Sequence, residues 1–199
     1  MIWIAIAAQL TAAQPIQAAN WFYDLAWEQR VSQKGGHALN FIRVIVTPGG
    51  QPQDCSIEVT SGIPDLDKET CALVMKRGRF KPARWADGKP AYGVYRKDVL
   101  WADLDQFEYS RPVDVEINVS RMPKGVRAPV SFPVNFAVHA SGTKSSCQTP
   151  QRNVHSMLLD VACKQILASY PVSAARSAQG IAVPSVQNAL VSFVTDGSK

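Results

Sequence analysis

With 199 residues, 46% of them hydrophobic and 19% charged, the chain can bury a core, which excludes global disorder. A net charge of +5, with no long Lys/Arg run and no recognisable nucleic-acid motif, excludes a dedicated nucleic-acid binder. The length suits one medium domain or two small ones.

Met1 to Ala19 opens on the apolar run Ile2-Trp3-Ile4-Ala5-Ile6-Ala7-Ala8, and either Ile16-Gln17-Ala18 or Thr11-Ala12-Ala13 suits the residues preceding a cleavage point. Residues 1–19 are therefore predicted to be a signal peptide, although no Lys or Arg precedes the apolar run. Gln9, Gln14 and Pro15 interrupt the segment too early for a convincing membrane span. If retained, it would form a buried N-terminal helix or associate with a membrane. Asn20 to Arg30 is aromatic-rich and reads as a short amphipathic helix.

Ala38 to Val46 reads as a strand, Thr47 to Pro52 as its turn, and Asp54 to Thr60 as the return strand, with Cys55, Ile57 and Val59 on one face. Leu66, Thr70, Leu73 and Val74 recur at helical spacing, so Leu66 to Arg77 is predicted to be a helix. Ala86 to Pro90 is a turn, and Ala91 to Ala102 a long final strand. The connecting residues include a clean alternation, Val113 to Val119, which reads as a strand.

Cys55 and Cys71 are sixteen residues apart, and so are Cys147 and Cys163, which follow 92 residues later. A shift of 92 also places Gly50 on Gly142, Leu66 on Leu158, Gly88 on Gly180, Val94 on Val186 and Trp101 on Phe193, with a small slip near Phe80. This pattern points to a tandem duplication with units at 20–104 and 105–199, each closed by its own disulfide. Those bridges, 55–71 and 147–163, are one of three complete pairings of four cysteines. The second copy repeats strand (Phe132 to Ala140), turn, strand near Cys147, helix (about Asn153 to Ser169) and final strand (Val186 to Thr195).

The first copy resembles the C-terminal domain of the TonB energy-transducer family across residues 38–102. The resemblance rests on Val46-Thr47-Pro48-Gly49-Gly50, Cys55 to Gly62, Leu66-Asp67, Arg79-Phe80-Lys81-Pro82-Ala83-Arg84, Asp87-Gly88-Lys89-Pro90 and the closing Tyr92 to Trp101. The second copy lacks the Ser-Gly, Leu-Asp and Arg-Phe-x-Pro pieces and reads as diverged. The resemblance implies an α+β fold of two tandem small domains, each an antiparallel sheet packed on a helix. It also implies a periplasmic, non-enzymatic role: capturing an extended segment of an outer-membrane TonB-dependent receptor by adding it to an exposed sheet edge. The last strand of the first copy is the candidate edge, with Tyr92, Val94, Tyr95, Arg96, Lys97 and Val99 as partner-binding residues. A membrane-anchored transducer whose N-terminus extends beyond the one given is the alternative.

No cofactor, metal or catalytic residue is expected. His139, Cys147, His155 and Cys163 recur every eight residues and would be the zinc ligands of a rival reading. Thr47 and Ile63 stand at the histidine positions of the first copy, so the cysteines have a role that does not need histidine. Ser61-Gly62 and Ser141-Gly142 lack the context of a nucleophile elbow.

Overall fold

A computed structural model describes residues 9–22, 24, 27, 29, 31, 37–102 and 112–195. The expected helix at 20–30 lies largely outside the described residues. The regular elements are β1 (Gln14–Pro15), β2 (His37–Val46), β3 (Pro52–Val59), α1 (Pro64–Arg77), β4 (Phe80–Lys81), β5 (Ala83–Arg84) and β6 (Pro90–Ala102). The second half contributes β7 (Val115–Asn118), β8 (Val130–Val138), β9 (Lys144–Gln148), α2 (Ser156–Ser169), β10 (Ala175–Arg176), β11 (Ala182–Val183) and β12 (Ser185–Val194). The fold is α+β, with α1 and α2 packed against a sheet of mostly antiparallel strands.

The halves correspond at a constant shift of 92 residues. The helices match end to end, β5 matches β10, and β6 matches β11 plus β12. The turn bond from Gly50 N–H to Thr47 O recurs from Gly142 to His139, and the bond from Gly88 to Trp85 recurs from Gly180 to Ser177. Gly50, Gly88, Gly142 and Gly180 all have positive φ, which explains a glycine at each turn. The slip expected near Phe80 does not occur: β10 follows β5 at the same shift through that region.

Within each half, three antiparallel strands carry one helix. In the first, the helical stripe Leu66, Leu73 and Val74 packs on Ile42, Val44 and Val46 of β2. In the second, Leu158, Ala162 and Ile166 pack on Phe132, Val134, Phe136 and Val138. Disulfides Cys55–Cys71 and Cys147–Cys163 tie β3 to α1 and β9 to α2, each with a Cα separation of 5.5 Å. Val59 is 52% exposed instead of sharing the core face of Cys55 and Ile57, because a register shift sets it across from Phe41.

α1 begins at Pro64, two residues before the periodic stripe, because proline suits the first turn. Asp67 is drawn inward from that turn. Its carboxylate accepts hydrogen bonds from Thr60 Oγ1 (2.5 Å), the Ser61 N–H (3.0 Å) and Asn40 Nδ2 (3.0 Å). Asn40 also donates to Thr70 Oγ1, as does Trp101 Nε1. In the second copy Phe132, Leu159, Ala162 and Phe193 stand at the places of Asn40, Asp67, Thr70 and Trp101, and Phe132 stacks on Phe193 at 5.8 Å. The same site is filled once by a polar network and once by hydrocarbon.

The halves join through their final strands. The sheet order is β3-β2-β6-β12-β8-β9, and β6 and β12 pair in parallel at Tyr92↔Ser185 and Gly93↔Val186. Two antiparallel halves thus form one mixed sheet. Because equivalent strands run parallel side by side, one unit is turned over relative to the other. Register places Val46, Gly93, Val186 and Ala137 in one row on the α1 face, while Val138 faces the opposite side with α2. Each unit then covers the other's back face. Ile45 and Val94 of the first pack with Ala175 of the second, and their equivalents Ala137 and Val186 join the cluster that holds Ala83, the counterpart of Ala175.

Residues 9–16 thread this seam. Leu10 and Ala13 are buried; the Leu10 N–H donates to Gln148 Oε1, and the Leu10 carbonyl accepts from Asn135 Nδ2. Thr11 bridges Arg84, and β1 pairs with β4. A Cβ on Gly93 would lie 2.7 Å from Ala13 Cβ and 3.1 Å from Ala83 Cβ, so glycine there makes room for the segment. Part of the stretch expected to be a removable leader therefore fills the seam between the two units; residues 1–8 lie outside the described residues. No helix among the described residues is long and apolar enough to cross a membrane.

A chain starting at Asn20 should lose about 2–4 kcal/mol of stability in urea titration, the loss expected from emptying the Leu10 and Ala13 sites. An undiminished midpoint would show that the seam closes without them. The Asp67 carboxyl is pushed up by burial, but its hydrogen bonds from Thr60, Ser61 and Asn40 outweigh this and hold it below its ordinary value. Its stabilising contribution is present above the unfolded value of about 3.9 and is lost as pH falls through the folded value. Asp67→Asn should cost about 1–3 kcal/mol at neutral pH and flatten the loss of stability below about pH 4. Parallel pH–stability curves for the two proteins would contradict this.

Candidate strand-addition edge

The sequence places the partner-binding residues on β6, and the structure puts that strand in the middle of the sheet order. Tyr92 pairs with Ser185, and Val94 is buried against Ile45 and Ala175. Val99 is buried in the core beneath α1. These three hold the fold together, and the side chains of Val94 and Val99 offer no outward surface.

The edge nevertheless reopens further along. β6 runs beside β2 from Gly93 to Ala102, whereas on its other side it meets β12 only at Tyr92 and Gly93. Beyond that point the two strands part. β12 continues beside β8, and its freed side takes β7 in parallel, with Val191↔Val115, Ser192↔Glu116, Phe193↔Ile117 and Val194↔Asn118. The ladder extends through the Asp114 N–H to Leu190 O (2.9 Å) and the Val119 N–H to Val194 O (3.0 Å). The 92-residue shift carries Val191–Val194 onto Val99–Ala102 of β6. No strand among the described residues pairs with that side of β6 past Gly93.

Tyr95, Arg96 and Lys97 lie along this reopened stretch and are all partly exposed. A small cavity of about 90 Å³ separates Arg96, Lys97 and Asp98 from Pro112, Val113 and Asp114. Arg96 is already engaged. Its Nε donates to Glu58 Oε1 at 3.1 Å and its Nη1 to Tyr170 Oη at 3.1 Å, while Tyr170 Oη donates to Asp114 Oδ1 at 3.4 Å. Asp114 Oδ2 accepts the Leu190 N–H at 2.7 Å. One guanidinium thereby joins the edge strand β3, the end of α2 and the start of β7.

Electrostatics reflect this crowding. Burial pushes the Arg96 guanidinium down, but Tyr170 and Glu58 outweigh it and the net direction is up. Burial and the facing Arg96 push Arg43 down, and burial pushes the Tyr170 phenol up. Glu58, Asp114 and Tyr170 are members of the site that the sequence reading missed. The Val113–Val119 alternation announced a strand but carried no sign of which strand it joins.

The predicted pairings Cys55–Cys71 and Cys147–Cys163 are both formed, and there is no free cysteine. His139 Nε2 lies 2.8 Å from Ser145 Oγ, and no group of three metal-ligating side chains occurs among the described residues. Disulfides persist in oxidising compartments, which places this protein's folded form in such a setting. Comparison with protein-family models, curated proteins and solved structures gives no match.

Arg96→Ala should cost about 1–2 kcal/mol, a charged hydrogen-bond loss discounted for partial exposure. It should also speed amide exchange at Leu190, where Asp114 would lose its anchored partner. Unchanged stability and exchange would remove Arg96 from this junction.

Proposed function

We propose that the protein is a non-enzymatic periplasmic binder that captures an extended protein segment by adding it, in parallel, to the Val99–Ala102 stretch of β6. One observation carries this reading: the matching stretch of β12 already accepts an added strand, β7, from the chain itself. That strand serves as a template for the partner. Val115 and Ile117 pack on the second core while Glu116 and Asn118 stay exposed, so the captured segment should alternate apolar and polar residues. Main-chain bonds supply the affinity, and the apolar positions supply the selection.

The two disulfides support export to an oxidising compartment. The TonB-like order of motifs in the first copy supports an outer-membrane TonB-dependent receptor as the source of the segment. The two halves then differ in role. The first has a reopened edge for a partner, whereas the second has its edge filled from within.

A peptide with the sequence of Val113–Val119, added to the full chain, should slow amide exchange across Val99–Ala102 by about tenfold or more. The same peptide N-methylated at alternate amides should give no protection. Equal effects of the two peptides, or no protection at Val99–Ala102, would overturn strand addition at this edge.

A further inference from the structure

The second copy carries an open cleft of about 660 Å³ between the segment Val119–Lys124 and the start of α2. Met122, Met157, Val161 and Phe193 line its floor, and Arg121 and Lys124 stand at its rim. Met157 is 61% exposed and Val161 43%, among the largest apolar exposures of the described residues.

The first copy shows that these positions do not need to be apolar. Asp65 and Glu69 occupy the equivalents of Met157 and Val161, one turn apart on the outer face of α1. An exposed helix face charged in one unit has become hydrocarbon in the other, where neither the helix nor its disulfide requires it. Methionine adds a second hint, since its flexible, polarisable side chain adapts to varied apolar partners. Burying these side chains would require a partner, and the charges indicate its nature. No carboxylate lines the cleft, and Arg121 and Lys124 form no ion pair among the described residues. His155 also lines it, and its Nδ1 is buried without a hydrogen-bond partner among the described residues.

We infer that this cleft is a second docking site, for a protein segment that places apolar side chains against Met122, Met157 and Val161 and acidic side chains against Arg121 and Lys124. The site lies on the unit whose sheet edge is already filled by β7. It would give that unit a partner of its own through side-chain chemistry instead of main-chain pairing. The inference does not depend on strand capture by β6.

The chain has four methionines, so [methyl-13C]methionine labelling of the full protein gives a sparse, readable spectrum. Met75, on the outside of α1, is the internal control. The probe is a synthetic peptide of about 12 residues with Leu at helical i, i+3, i+4 and i+7 positions and Glu between them, compared with its Lys-for-Glu counterpart. The acidic peptide should shift the Met122 and Met157 methyls and leave Met75 in place. Raising the ionic strength from about 0.05 to about 0.5 M should weaken it several-fold. Met157→Asp with Val161→Glu, which installs the first copy's residues on an exposed face, should weaken binding about tenfold or more. Arg121→Glu should do so by several-fold. Both variants should leave exchange at the β6 edge unchanged. Absence of shifts, equal binding of both peptides, or indifference to these substitutions would overturn the proposal. So would shifts produced by phosphatidylglycerol vesicles but not by the peptide, which would assign the cleft to a lipid surface.

Discussion

The whole arrangement depends on a two-residue parallel contact, Tyr92–Gly93 against Ser185–Val186. Hydrogen bonds across so short a pairing contribute little. Its consequence is geometric, because parallel pairing of equivalent strands turns one unit over. That sets the back face of each sheet half against a small hairpin of the other. Ile45 and Val94 meet Ala175; Ala137 and Val186 share a cluster with Ala83. Residue for residue, the contact is the same surface used twice, the self-complementary logic of a two-fold dimer written within one chain. Units of this size have thin cores, and mutual burial of their back faces supplies apolar area that neither could bury alone.

The same turn decides which edges remain. The outer strands β3 and β9 end the sheet, and each is clamped to its helix by a disulfide closing a loop of sixteen residues. In the chain-entropy model such a loop contributes about 3 kcal/mol. At the centre, β6 and β12 separate after their brief contact, and the connecting strand β7 fills one of the two sides that this exposes. The two copies thus begin as equivalents and become unequal through the connection between them. The side of β12 is completed by β7, whereas past Gly93 that side of β6 meets no strand among the described residues.

Much of this was legible in the sequence where periodicity and turn chemistry coincide. The strands of both copies, both helices and the 92-residue repeat could be placed because alternation, helical stripes and positive-φ glycines each leave a local mark. The disulfides followed from the repeat. The weak resemblance of the second copy also gains a physical reason. Ser61 and Asp67, of the Ser-Gly and Leu-Asp pieces it lacks, belong to the Thr60–Ser61–Asp67–Asn40–Thr70 network, whereas Phe132, Leu159 and Ala162 stand at the places of Asn40, Asp67 and Thr70 in the second copy. A buried polar network is stable whole or replaced whole. What the sequence could not convey was how the units face each other. Nothing in the alternation of Ala91–Ala102 distinguishes an edge strand from one that meets its counterpart for two residues. Likewise, nothing in the sequence around Leu10 and Ala13 signals the seam between the units that they occupy.

The most direct test of this account is a methyl-resolved nuclear Overhauser spectrum of the full chain in its oxidised form. Contacts are expected from Ile45 and Val94 to Ala175, matched by contacts from Ala137 and Val186 into the Ala83 cluster. If these cross-unit contacts are missing while those within a unit, such as Ile166 to Val134, are present, the two copies are independent and the interlocked sheet is wrong.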